Sequence, residues 1–525
     1  MFSSSGVLNA TGYQNKLAPD TVLVIFGSAM GPTSLATGPG SNYPTSLAGT
    51  SITFTPAAGG AAINAKMVYS IAGQIAGLLP SSITPGTYAV RVTYNGVSSA
   101  PQNATVVARS FGIATANSAG TGTAQATIGN VNGGLSLTRF TSGSVAFGGF
   151  NWTLTPAHPG DTLVLWGTGG GADPANDTGG TSGDQTAAGN FMVNVGGRQI
   201  RPLYAGASSG YPGLWQINFT LPADITPDCF ASVQVSAGGE LSNTVRIPIA
   251  AAGQTACSDP DLSPEMLAKL DAGADIVFAA FGLYRARSTT LNATAEAASG
   301  FVARYKAAKF ALTYSRPRFG YCRVYDRTYP VNGLDPASPE AALDAGAALP
   351  LSGPGLPQAS SLGRLPAGPL APAYAYVPSR PFEAGLYTLT GNGGSQVGPF
   401  SVSTNFPANF TVTNWDSVTA IDRTRTLTLN WTATGASFVI FVVGTTQRVG
   451  SSLHLVTIEC GPIPADSGTY SIPPDALAYL TPGSATVSVQ AVNQARFTAP
   501  LVGGGQTDMG GFEAHLGIEK SIPVQ

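Results

Sequence analysis

Gln216-Ile217-Asn218-Phe219-Thr220-Leu221-Pro222-Ala223-Asp224-Ile225-Thr226-Pro227 has an ungapped counterpart earlier in the chain, Gln74-Ile75-Ala76-Gly77-Leu78-Leu79-Pro80-Ser81-Ser82-Ile83-Thr84-Pro85. Both read Q-I-x-x-x-L-P-x-x-I-T-P, and seven identities in one register are poorly explained by chance. Leu-Pro and Ile-Thr-Pro read as a strand exit and a turn, because proline removes a backbone donor and fixes φ. The repeat contains no acid–base pair or metal-ligand set. It is therefore a signature of a duplicated scaffold rather than of a duplicated site.

Working outward, the two copies carry the same neighbours. Thr21-Val22-Leu23-Val24-Ile25-Phe26 is a short, β-branched apolar run between Pro19-Asp20 and Gly27, and Asp161-Thr162-Leu163-Val164-Leu165-Trp166-Gly167 corresponds to it. Such runs read as buried sandwich strands. Tyr88–Tyr94 runs into Asn95-Gly96, a hairpin signal, and Ala231–Ser236 runs into Gly238-Gly239. Asn103–Ala108 and Asn243–Ile249 close the two units. This predicts an all-β fold of tandem immunoglobulin-like β-sandwiches, the first copy over residues 1–110 and the second over 111–253.

Beyond the repeat the character changes. Ser263 followed by Pro264-Glu265-Met266-Leu267-Ala268-Lys269-Leu270 combines an N-cap, proline at the first helical position and apolar spacing. It predicts one short helix near 263–271. Ile276–Tyr284 and Tyr321–Tyr325 read as strands, and residues 346–380 read as an irregular Pro/Gly-rich connector. Residues 254–380 are thus expected to be a mixed β segment. Residues 381–525, with runs at Leu386–Thr390, Leu427–Trp431, Phe438–Val443 and Ala485–Gln490, are expected to form a further β-sandwich, partly built with strands from 275–345.

The chain of 525 residues is 43% hydrophobic but only 10% charged, with a formal net charge of −2. Soluble domains average about 25% charged residues. A surface wetted by hydroxyls and backbone suits a secreted β protein. No basic block exists to neutralise phosphates, which argues against nucleic-acid partners. No stretch approaches the ~18 apolar residues of a membrane helix. The opening Met1-Phe2-Ser3-Ser4-Ser5-Gly6 is not a signal peptide. Because the first domain starts almost at once, a trimmed or missed start is the preferred account. The four cysteines form no C-x-x-C pair, against zinc or thioredoxin-type chemistry. Cys229 and Cys257 bracket a hairpin and the end of its domain and are expected to bridge. Cys322 with Cys460 follows by elimination, with four buried thiols as the alternative.

Several motifs could carry chemistry. Leu163–Ala172 matches a strand followed by G-x-G-x-x-A, but Asp173-Pro174-Ala175-Asn176-Asp177-Thr178-Gly179-Gly180 cannot propagate the helix a dinucleotide needs. Gly206-Ala207-Ser208-Ser209-Gly210 matches G-x-S-x-G, but Tyr211-Pro212-Gly213 follows where a nucleophile elbow needs a helix. The histidines are His158, His454 and His515. Asp173, Asn176, Asp177 and Asp184 share one Gly-rich loop and offer hard oxygen ligands of the kind Ca²⁺ takes, against the simpler reading of a solvated loop. Asp416 and Asp422 are the carboxylates considered for glycoside hydrolysis, and Asp422-Arg423 reads better as a local ion pair or turn. Trp152, Trp166, Trp215, Trp415 and Trp431 could form a carbohydrate platform, although tryptophan in sandwiches is usually core.

Val7-Leu8-Asn9-Ala10-Thr11, Leu17-Ala18-Pro19-Asp20-Thr21, Pro159-Gly160-Asp161, Trp166-Gly167-Thr168-Gly169, Val195-Gly196-Gly197, Tyr204-Ala205-Gly206, Gly213-Leu214-Trp215-Gln216-Ile217-Asn218 and Leu241-Ser242-Asn243 together resemble an uncharacterised C-terminal immunoglobulin-like β-sandwich domain family expanded in Solibacter-like acidobacteria. The resemblance covers about residues 7–253, the second copy being the better match. It implies an extracytoplasmic accessory domain, and the family has no established catalytic residues to carry over. The first copy lacks Gly-Leu-Trp before its Gln-Ile, and the chain runs on to Gln525 after a domain that is normally C-terminal. The sequence thus points to an exported, non-enzymatic, multidomain protein of the cell surface, adhesion apparatus or extracellular matrix, with a protein or glycan partner. The alternatives are a carbohydrate-binding accessory module of a secreted enzyme and a hydrolase with its site in 254–525.

Overall fold

The computed structural model describes residues 2–40, 42–129, 136–147, 149–259, 262–307, 309–310, 318–331, 338–365 and 372–525. The chain is all-β and divides into two compact units, Met1–Asp271 and Ala272–Gln525.

The first unit holds the two tandem immunoglobulin-like sandwiches. In the first, a sheet ordered Phe2–Asn9, Val22–Gly27, Gln74–Leu78, Lys66–Ile71, Ala36–Thr37 faces a second sheet centred on Gly86–Tyr94. In the second, Thr162–Thr168 and Trp215–Thr220 are central to one sheet and Asp228–Ala237 to the other. Each has its own core. Leu23, Ile25, Phe54, Ile75 and Val90 fill the first, and Leu163, Leu165, Trp215, Ile217 and Val233 fill the second.

The repeated stretch does the same work twice. Ile75 pairs with Ile25, and Ile217 with Leu165. Leu79 N–H donates to Thr21 O and Leu221 N–H to Asp161 O, each at 2.9 Å. Ile83 and Ile225 then close a turn on Pro80 and Pro222, each at 3.1 Å. The Leu-Pro motif is therefore a strand exit and Ile-Thr-Pro follows a turn whose isoleucine is buried, as expected. Asn95-Gly96 and Gly238-Gly239 are tight hairpin turns in which all four residues have positive φ, matching strand twist.

The helix forms at Pro264–Asp271, with Ser263 Oγ accepting Met266 N–H at 3.3 Å. It belongs to the first unit. Asp271 at its end accepts Phe140 N–H at 3.1 Å and Thr141 N–H at 2.9 Å, fixing it to the second sandwich.

The second unit contains a 14-stranded sheet that runs through both segments expected to be separate, and a three-stranded sheet. Long strands Phe438–Val449, Ser452–Pro464, Gly483–Arg496, Met509–Val524, Ile276–Ser288 and Ala293–Tyr305 form its centre. Towards one end it packs on Asn409–Val412, Leu427–Thr434 and Thr469–Ile472, enclosing Leu429, Trp431, Phe441 and Ile458. Towards the other it curls back, so that Phe400–Phe406 returns against Gly483–Arg496 and Met509–Val524 around Phe281, Tyr374, Tyr387 and Phe512. The expected irregular connector at 346–380 is corrected. It contributes strands Ala348–Ser352, Ser361–Arg364 and Tyr374–Tyr376, because its Leu and Tyr side chains fill this curled core; residues 366–371 lie outside the described residues.

Cys322 and Cys460 face each other on adjacent strands and form a disulfide. The Cys229–Cys257 bridge is corrected: these are buried thiols that share a hydrogen bond, which with desolvation pushes the Cys229 pKa up.

Candidate functional site

The candidate ligand residues lie where the loop after Thr162–Thr168 meets the first sandwich. Close approach there depends on glycine. A Cβ on Gly169 would stand 2.5 Å from Ser110 O and 2.8 Å from Thr21 Oγ1, and one on Gly170 would stand 2.1 Å from the Trp215 ring. The G-x-G-x-x-A match is thereby explained without a nucleotide. Only a short turn, Asn176–Thr178, follows it. Arg109, in the link between sandwiches, donates to Gly170 O and lies over the Phe191 ring at 5.3 Å.

A polar knot ties the two sandwiches. Thr168 Oγ1 accepts Val22 N–H at 2.8 Å and donates to Gly213 O at 2.7 Å. Asn9 Nδ2 donates to Ser110 O at 3.2 Å and to Thr168 O at 3.3 Å. Gly213 presses on Val22 and Leu78, where a Cβ would stand 2.6 and 2.7 Å from their side chains. Gly-Leu-Trp occurs only in the second copy because that copy alone turns this loop onto its neighbour.

Asp20, Asp173 and Asn176 are each 0% exposed. Asp20 Oδ2 accepts Asp173 N–H at 2.7 Å, and no donor reaches its buried Oδ1. Asp177 accepts Ser81 N–H and Oγ–H, each at 3.0 Å, and Lys66 Nζ donates to Asp177 O at 2.9 Å. Burial pushes the Asp20 pKa up to about 8, against the pull of the Asp173 N–H; the charges of Asp177 and Asp173 and a hydrogen bond shared with Asp177 add to the rise. Burial thus favours the protonated form of Asp20.

Asp173 accepts Ala175 N–H at 3.1 Å and Ser182 N–H at 2.9 Å. Asp184 lies apart. Its carboxylate accepts Thr186 Oγ1–H, Thr186 N–H and Ala205 N–H, and these bonds hold its pKa below the ordinary value. The structure thus brings Asp173, Asn176 and Asp177 together with Asp20, which sequence reasoning left out, and separates Asp184. Among the described residues no group of three or more His, Cys, Asp and Glu could hold a metal ion.

The G-x-S-x-G match is a hairpin loop, with Ser208 N–H donating to Leu214 O at 2.8 Å. His158 meets Gln254 O at 2.8 Å, His454 meets Asp326 at 2.7 Å, and His515 meets Glu513 at 2.8 Å. They lie in different elements. Asp422 accepts Thr424 N–H at 2.9 Å, a local turn. Trp215, Trp415 and Trp431 are core, while Trp152 and Trp166 are half-buried. No helix among the described residues is long and apolar enough to cross a membrane.

No family model matches the chain, and no curated protein does. Among solved structures it is similar to a Bacteroides ovatus mixed-linkage glucan utilisation protein, SGBP-B, bound to a heptasaccharide, at 10% identity over 89% of each chain and a TM-score of 0.13. It is similar to titin domains I67–I69 at 9% identity over 70% of this chain and 95% of that one, with a TM-score of 0.12. The four N-terminal immunoglobulin domains of Dscam1 align at 12% identity over 91% of each chain, with a TM-score of 0.11. Scores this low carry no weight for function, and the fold rests on the strand pairings themselves.

Proposed function

We propose that this chain is an exported, non-enzymatic, multidomain β-sandwich protein acting at a cell surface, in adhesion or in an extracellular matrix. The observation that carries the reading is the Cys322–Cys460 disulfide, which joins strands 138 residues apart in sequence. Such bonds persist in oxidising compartments and are rare in reducing ones. The low charge and the tandem sandwiches fit the same setting, and membership of the acidobacterial domain family is part of the proposal. Surface biotinylation and fractionation of intact cells test it, together with non-reducing peptide mapping of the native protein. Recovery in the cytosolic fraction with both thiols reduced would overturn it. A carbohydrate-binding role is the second reading, favoured by the exposed Tyr284 ring on the central sheet of the second unit.

A further inference from the structure

On one face of that sheet an aromatic ring stacks on its cross-strand neighbour. Tyr284 is paired across a parallel ladder with His515, and the two rings stack with centroids 4.6 Å apart and planes 26° apart. The Tyr284 ring lies back over Gly282, where a Cβ would stand 2.4 Å from its Cζ and Oη. No other residue type would let the ring down onto the strand. Gly517 does the same for Gln490, whose Cγ would stand 2.8 Å from a Cβ there.

The groups around the ring form one network. His515 Nε2 meets Glu513 Oε2 and Nδ1 meets Gln490 Oε1, each at 2.8 Å. Gln494 Nε2 donates to Glu513 Oε1 at 2.7 Å, and Gln490 Nε2 to Ser488 Oγ at 2.9 Å. Both imidazole nitrogens are thus held by polar neighbours. Burial, with the charge of Glu513 adding to it, pushes the Tyr284 phenol up to about 12, so it stays neutral. His515 is 7% exposed, and Tyr284 beside it is 39% exposed.

We propose that Tyr284, with Glu513 and Gln494 at its rim, is a binding site for a neutral carbohydrate. The outer face of the ring takes the C–H face of a β-linked pyranose, and the carboxylate and amide take its hydroxyls. An exposed ring with hydrogen-bonding groups beside it suits a ligand that is apolar on its face and polar on its edge. This deepens the second reading above and does not depend on the compartment, since it is tested on purified protein.

The test is microcalorimetry and saturation-transfer NMR on the full chain with cellohexaose, laminarihexaose and chitohexaose. At least one binds, with transfer strongest at axial ring protons. Tyr284→Ala weakens that binding about tenfold, as loss of a stacking ring does. Tyr284→Phe retains it within about twofold, and Glu513→Gln, which keeps the packing, weakens it about threefold by exchanging a charged hydrogen bond for a neutral one. Circular dichroism and the melting temperature report whether each variant is folded. If no hexaose binds the wild-type protein, or if folded Tyr284→Ala and Glu513→Gln both bind as the wild type does, the site does not exist. Cytosolic recovery would overturn export while leaving this result untouched.

Discussion

Asp20 Oδ2 accepts the backbone N–H of Asp173 across the boundary between the two sandwiches, 153 residues apart in sequence. The same carboxyl has an undonated Oδ1 beside Asp177. Its register equivalent in the second copy is Gly160, which shares its left-handed backbone, φ 89° against 62°; Asp161 instead matches Thr21 and accepts His158 N–H at 2.8 Å within its own turn. One repeat position therefore holds a turn glycine in one copy and a buried acid in the other.

A pH dependence follows. The folded Asp20 pKa of about 8 lies above the ordinary 3.8, so the folded state keeps a proton that the unfolded chain releases. The stabilisation is complete below about pH 4 and declines as pH rises, until it is lost above about pH 8. The decline attributable to Asp20 is on the order of 2–5 kcal/mol. Asp173, Asp177 and Lys66 are the charged groups around it. Asp20→Asn, whose amide keeps an acceptor for Asp173 and offers a donor to Asp177, removes this slope. Urea unfolding of both proteins from pH 5 to pH 8.5 measures it, and parallel profiles would show that Asp20 is not the neutral acid.

Thr168 is the hub of the same boundary. Thr168→Val keeps the shape but strips the acceptor from Val22 N–H and the donor from Gly213 O. The expected loss is about 2–4 kcal/mol, from two buried groups left unpaired. Thr168→Ser retains both partners and falls well short of that. Equal losses in the two variants would locate the cost in the methyl group instead.

Trp215 separates packing from hydrogen bonding. It is 0% exposed, near-parallel to Phe191 at 6.2 Å, and its Nε1–H has no acceptor. Trp215→Ala should cost about 3–5 kcal/mol in cavity and lost burial. Trp215→Phe should cost less than half of that, because it also removes an unsatisfied buried donor. Chemical denaturation followed by tyrosine fluorescence and circular dichroism ranks the two.

Cysteine chemistry gives a covalent check. Non-reducing peptide mapping should recover Cys322 linked to Cys460, and Cys229 and Cys257 should react with iodoacetamide only after unfolding. Reducing the bond, whose cysteines are 138 residues apart in sequence, should destabilise the second unit by up to about 5 kcal/mol. Recovery of a Cys229–Cys257 peptide would restore the bridge that the hairpin spacing suggests for that pair.

The sequence carried the duplicated sandwiches plainly, because Ile25/Ile75 and Leu165/Ile217 are local β-type patterns whose pairing the repeat itself declares. Helix 264–271 was equally legible through Ser263 and Pro264. Asp20 was not, since its surroundings come from the distant loop that holds Asp173 and Asp177, and no periodicity marks a partner so far along the chain. The strands in 346–380 were hidden by prolines and glycines that sit beside, rather than in place of, Leu349, Leu351 and Tyr374. Tyr284 and His515 meet through a parallel ladder between strands from opposite ends of the second unit's sequence. Gly282 makes room for the ring within a run that reads only as a strand.

That ladder also sets an order of events. Met509–Val524 lies between Gly483–Arg496 and Ile276–Ser288, parallel to the latter, so the unit's earliest long strand has one of its two neighbours near the end of the chain. A polypeptide made or threaded from its N-terminus must hold Ile276–Ser288 with one edge unpaired until Met509–Val524 has followed. The first unit needs nothing from beyond Asp271 for its cores. Vectorial synthesis or export would thus deliver a finished pair of sandwiches ahead of an open, self-adhesive edge, and the time that edge stays unpaired is set by the rate at which the last strand arrives.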